Sequence, residues 1–141
     1  MIRLGDLQFQ GGRYAEAGGV YQQFLNQFPR NFLAPAAMLG LASVPEAQGN
    51  YEVARSQYTQ LAASNPAGYT TLAARMGVAR CAELLGQAKE ARQLYEELIA
   101  SAQNSPVQGE AYVRWTVLAR QQAPVPVAPA NNTFTLPTVL P

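Results

Sequence analysis

The sequence predicts an all-α solenoid, and three observations predict it. The first is a beat of 37 residues: Gly12-Arg13-Tyr14-Ala15-Glu16-Ala17 returns as Gly49-Asn50-Tyr51-Glu52-Val53-Ala54 and again as Gly86-Gln87-Ala88-Lys89-Glu90-Ala91. A fixed period of that size marks repeated supersecondary units that bury their apolar faces by stacking. The second is a helical stripe inside each block. Tyr21, Tyr58 and Tyr95 follow the closing alanine by four residues, and Phe24, Leu61 and Leu98 come three further on, the spacing of one face of a helix. The third is punctuation, with glycine before each block and Pro29 and Pro66 closing two of them.

The elements come in order along the chain. Residues 2–10, with Ile2, Leu4, Leu7 and Phe9, form a short helix ahead of Gly11-Gly12. Residues 14–28 form the second. Gly18 and Gly19 fall on its other face and cost about 1 kcal/mol each relative to alanine, so the first unit is expected to be the softest. Residues 35–48 form the third, with Pro35 in its first turn. Pro45 removes the amide that would bond the Leu41 carbonyl, which predicts a kink or early stop, and Gly49 supplies the left-handed residue beyond. Residues 51–64 repeat the second-helix pattern. After Asn65-Pro66-Ala67-Gly68, residues 70–85 and 88–103 form a further pair around Gly86.

Ser105-Pro106-Val107-Gln108 is a helix start with a serine cap, proline in the first position and glutamine to close a capping box. The helix it opens, 106–122, carries Tyr112, Trp115, Leu118 and Ala119, aligns with the first helix of a unit and is expected to cap the array. The units fall at about 1–30, 31–67 and 68–104. From Gln121 onward 21 residues carry no charge and five of them are proline. This tail, 123–141, is expected to be locally polyproline-like, ending in the apolar stretch 133–140.

Composition narrows the function. With 48% apolar residues the 141-residue chain can build a continuous core. Net charge is +1 with the basic residues scattered singly, so the footprint of a nucleic-acid binder is missing. No apolar run is long enough to span a membrane. Residues 1–6 lack the apolar segment of an export signal, and the helical pattern starts at once, which predicts an upstream part in the parent chain. There is no histidine, the side chain most used for proton transfer near neutral pH. Glu96 and Glu97 point about 100° apart on a helix and make no carboxylate pair. Cys81, the one cysteine, continues the row Leu7, Val44, Cys81, Leu118 and reads as a buried thiol. No phosphate loop or metal-ligand spacing appears, so no catalytic residue, metal or cofactor is expected. The tyrosines are spaced for helix packing and come without the basic residues that base stacking needs.

Leu4-Gly5, Leu41-Ala42 and Val78-Ala79 in the first helices, with Tyr14/Ala17, Tyr51/Ala54, Ala91, the tyrosine row and Pro29/Pro66, resemble tetratricopeptide repeats over residues 1–122. Gln103 replaces the third proline, and Gln8, Pro45 and Ala82 stand where an aromatic is usual. The common unit is about 34 residues, and the longer spacing here resembles the repeats of bacterial cell-envelope proteins such as the Tol–Pal-associated coordinator and outer-membrane-assembly lipoproteins. The resemblance implies a right-handed superhelix, a periplasmic or envelope setting, and a non-catalytic scaffold whose first helices line a groove for a peptide or protein partner. One stripe there runs Ile2, Asp6, Phe9, then Leu39, Ser43, Glu46, then Met76, Arg80, Glu83, then Val113, Val117, Arg120, each trio on one helix face. Leu39, Ser43, Met76, Arg80, Glu83, Val113, Val117 and Arg120 are the expected partner contacts, and Met76→Glu is expected to abolish capture with helical content intact. The rival reading is self-assembly, in which the tail docks into a groove of its own or a neighbouring chain. Tyr58→Ala should be costly and Arg55→Ala, on the outer face, nearly silent.

Overall fold

The computed structural model describes residues 1–64 and 68–122. Seven helices succeed one another: α1 Ile2–Gln10, α2 Tyr14–Gln27, α3 Ala34–Ala47, α4 Tyr51–Ser64, α5 Tyr69–Leu84, α6 Ala88–Ser101 and α7 Pro106–Gln122. No strand occurs among the described residues. The chain is an α-solenoid of stacked helix pairs. The break at Pro66 and the tail lie outside the described residues.

The turns explain why the pairs are alike. Gly12, Gly49 and Gly86 have φ of 73°, 82° and 78°, the left-handed region that a side chain resists. Each is followed by an amide that reaches back five residues, Arg13 to the Gln8 carbonyl, Asn50 to Pro45 and Gln87 to Ala82, at 2.8–2.9 Å. This is the Schellman closure of a helix end, built three times at the 37-residue interval. Pro45 therefore does not stop α3, which runs on to Ala47. It sits in the last turn, where its missing amide costs one bond, and its carbonyl closes the turn.

Two local expectations are corrected. Gln108 N–H does bond the Ser105 Oγ at 3.3 Å, but the Gln108 side chain takes the Asn104 amide at 3.2 Å. The Ser105 amide is already held by the Ala102 carbonyl, so the box closes one residue earlier. Gly18 does not face away from the array: a Cβ there would lie 3.7 Å from Val44 of the next unit. Gly19 has nothing within 4 Å, so Gly19→Ala should raise stability by up to about 1 kcal/mol through helix propensity alone, read as a higher thermal midpoint.

The core runs along the stack in three clusters, centred on Tyr21 and Phe24, on Tyr58 and Leu61, and on Tyr95 and Leu98. The Tyr21 and Tyr58 rings insert where the next first helix comes closest. A Cβ at Gly40 would lie 2.6 Å from the Tyr21 ring, and one at Gly77 2.6 Å from the Tyr58 ring. These two glycines are 37 residues apart. Leu7 is the exception in its row: it is 62% exposed, while Val44, Cys81 and Leu118 are buried. Val44 lies against α2, the second helix of the preceding unit, and among the described residues no such helix precedes α1.

Candidate functional site

The backbones of α1, α3, α5 and α7 approach one another in turn, whereas those of α2, α4 and α6 do not. An array closed on one side and splayed on the other curves, so the first helices form the inner surface. Two hollows lie along it. One, of about 310 Å³, lies between α1 and α3 and takes in Asp6, Phe9, Ala36, Leu39 and Ser43. The other, of about 190 Å³, reaches from α3 across α5 to the start of α7, past Tyr69, Ala73, Arg80, Val107 and Glu110. Leu39 and Ser43 border both, so the hollows run on from one another as a groove.

Its floor is a polar ladder. The buried tyrosines present their hydroxyls inward, each donating to a carboxylate of its own unit: Tyr21 to Asp6 at 2.6 Å, Tyr58 to Glu46 at 2.5 Å and Tyr95 to Glu83 at 2.6 Å. Arg80 grips Glu46 through Nε and Nη2 at 2.7 and 2.9 Å, the two-pronged geometry that makes such pairs strong. Its Nη1 lies 3.8 Å from Glu110. Arg114 continues the ladder to Glu110 at 3.2 Å and to Glu83 at 3.3 Å. Three successive first helices, α3, α5 and α7, are thus tied by alternating charges.

Burial opposes ionisation of Glu46, but hydrogen bonds from Arg80 and Tyr58 outweigh it and hold its carboxyl below the usual value. Burial, then the carboxylate acceptor, pushes all three ladder tyrosines well above their ordinary value of 10.0. A proton held more tightly in the fold than in the free chain stabilises the fold below the free-chain pKa, and that stability is lost as pH rises beyond it. Stability should therefore decline as pH passes 10, when the unfolded tyrosines ionise. Tyr95→Phe, which keeps the ring and removes the proton, should flatten the decline, read by denaturant titrations on either side of that pH.

The expected contact residues are divided. Leu39, Ser43 and Arg80 line the groove, yet Arg80 is committed to Glu46, and Ser43 gives its proton to the Leu39 carbonyl while its Oγ lies 3.0 Å from the Tyr58 hydroxyl. Glu83 is held by Tyr95 and Arg114. Met76 also borders the second hollow, but it is 1% exposed and packed in the core around Tyr95, so Met76→Glu would damage the fold itself and does not isolate capture. Val113 and Val117, exposed by 60% and 45%, lie on the last first helix with no further helix beside them among the described residues, and Arg120 is exposed on the same stripe. The sequence pattern missed Tyr69, 63% exposed at the groove's edge, because it opens a helix and lies off the stripe. It also missed the tyrosine–carboxylate bonds, whose signal was Glu46 and Glu83 each twelve residues before a tyrosine.

Other features have structural roles. Burial pushes the Cys81 thiol up to about 11, so it stays protonated at neutral pH. Arg55 is not an idle outer residue: it bonds Gln87 at 2.6 Å and pairs with Glu90, bridging α4 to the start of α6. On the outer side a hollow of about 420 Å³ between α2 and α4 is floored by Leu25, Met38, Leu41 and Leu61. Its counterpart 37 residues on, of about 270 Å³, has Ala62, Arg75, Val78 and Leu98 in those places. No described helix is long and apolar enough to cross a membrane.

Two family models, both of the tetratricopeptide repeat, match residues 1–31 and 39–106, more than two thirds of the chain between them. The chain belongs to the tetratricopeptide-repeat family. Among solved structures it is similar to PcrH from Pseudomonas aeruginosa, at 20% identity over 84% of this chain and 88% of that one, with a TM-score of 0.70. A crystal structure of PcrH with the chaperone binding region of PopD matches at 20% identity over the same shares, with a TM-score of 0.68. The Sgt2 repeat domain from Aspergillus fumigatus matches at 19% identity over 92% of this chain and 85% of that one, with a TM-score of 0.67. At such identities the likeness concerns the fold alone. A comparison with curated proteins finds no match.

Proposed function

We infer that this tetratricopeptide-repeat chain is a non-catalytic scaffold that holds a peptide or protein segment in the groove lined by its first helices. The observation that carries this is the continuity of the groove: two hollows joined at Leu39 and Ser43, with apolar side chains at Phe9, Leu39 and Tyr69 above a fixed ladder of charges. An extended segment would set side chains into the hollows and lay its backbone over the ladder. PcrH, of the same fold, has been crystallised with the chaperone binding region of PopD, which supports a segment-holding role. The 37-residue period supports the longer-period, cell-envelope subtype, where the segment would belong to an envelope protein.

The test needs residues that face the groove without holding the fold. Tyr69 opens α5, where a negative charge suits the helix dipole, so Tyr69→Glu should keep the fold. Ala36 is exposed and borders the hollow between α1 and α3, so Ala36→Arg should fill it. Peptides selected from a displayed random library on the immobilised chain should lose affinity by about tenfold or more with either change, since each places a charge in a desolvated contact. Met38→Glu on the outer hollow should leave them bound. Peptides indifferent to the first two changes and lost with the third would move the site to the outer face, and a library yielding no binder would overturn the reading.

A further inference from the structure

Each tyrosine-bound carboxylate of the ladder has an arginine partner, except the first. Glu46 of α3, held by Tyr58, is met by Arg80 of α5. Glu83 of α5, held by Tyr95, is met by Arg114 of α7. In both rungs the arginine comes from the next first helix. Asp6 of α1 is held by Tyr21 at 2.6 Å, but no ion pair among the described residues includes it. The reason lies in the sequence. The next first helix, α3, contains no basic residue, and Ser43 occupies the place that Arg80 has 37 residues on.

Asp6 is exposed, and there is room beside it. The hollow of about 310 Å³ between α1 and α3 brings Phe9 and Leu39 together with Asp6 and Ser43. Its size is at the small end of the range for ligand pockets, about 300–1,000 Å³. Asp6 lies one turn before Phe9, and Phe9 takes the place that Glu46 has 37 residues on. One carboxylate beside an apolar wall suits a side chain with an apolar stem and a cationic head. The second hollow differs, because its Arg80 and Glu110 already have partners of opposite charge.

We propose that the hollow between α1 and α3 is a subsite for an arginine of the bound segment, which completes the first rung as Arg80 completes the second and Arg114 the third. The stem lies against Phe9 and Leu39, and the guanidinium has donors for Asp6 and Ser43 together. This rests on the reading that a segment lies in the inner groove, and it adds the chemistry that the groove selects.

Two selections from a displayed random peptide library test it, one on the immobilised native chain and one on Asp6→Asn. Asparagine still accepts the Tyr21 hydroxyl through its Oδ1, so helical content should not change. Peptides from the native chain should share an arginine at one position, and those from Asp6→Asn should not. Exchanging that arginine for citrulline removes its charge, keeps its shape and leaves the protein untouched. The exchange should weaken binding about tenfold or more on the native chain and less than about twofold on Asp6→Asn, the coupling of a close charge pair. Peptides that are lost with Tyr69→Glu, and so lie in the groove, but that share no arginine or tolerate citrulline would overturn the subsite and leave the groove reading standing. A library without binders would overturn both.

Discussion

Tyr58→Ala is expected to lower stability by about 3–5 kcal/mol, the cost of truncating a large buried aromatic. The ring is 1% exposed and wedged between two units, with Gly77 of α5 against its face and Ser43 and Glu46 of α3 at its hydroxyl, so neither unit can close the cavity alone. Tyr58→Phe separates packing from the ladder. It keeps the ring and removes one hydrogen bond to Glu46, which Arg80 still holds in two places, so the loss should be about 0.5–1.5 kcal/mol. Denaturant midpoints of the two variants measure both. Gln60, exposed on α4 beyond its first turn, is the better silent control, because Arg55→Ala breaks a bridge worth up to about 1 kcal/mol.

Gly77→Ala should destabilise although alanine is the better helix former. Propensity favours the change by about 1 kcal/mol. Against it, the new methyl would stand 2.6–2.7 Å from three atoms of the Tyr58 ring, a distance real contacts do not reach, and the ring is pinned by its own hydroxyl bond. Overpacking of this kind costs about 1–3 kcal/mol, so a net loss is expected, largest if α5 must move off α4. Gly77→Ala combined with Tyr58→Leu, which clears the ring, should lose less than the two separate losses added together. The double-mutant cycle is read from the same denaturant curves.

The fold was legible because its signals are local and repeated. Glycine before each block and the apolar stripes place helix ends within a residue or two, and the Schellman closures show why those glycines were the clearest marks. Leu7 misled because register says which positions are buried in the middle of a stack and cannot say what happens at its ends. Pro45 misled because the cost of a proline depends on how many turns come after it, and here fewer than one does. The groove was less legible than the fold. Met76 belonged on the right stripe, but whether a stripe residue is floor or wall depends on how closely α7 approaches α5, and spacing within one helix does not carry that distance. The tyrosine hydroxyls were hidden by the success of the packing reading, since the same side chains fill the core and tie the ladder. The glycine pair Gly40 and Gly77, 37 residues apart, was the available sign of where the next unit comes closest.

The claim that the inner groove takes the partner is tested most directly by mapping amide resonances of the chain as a selected peptide is added. The account predicts that the largest shifts cluster on the first helices, at Ala36, Leu39 and Ser43 of α3, at Tyr69, Ala73 and Arg80 of α5 and at Glu110 of α7. Shifts centred instead on Met38, Gln60 and Ser64 around the outer hollow, with the inner positions unmoved, would contradict it.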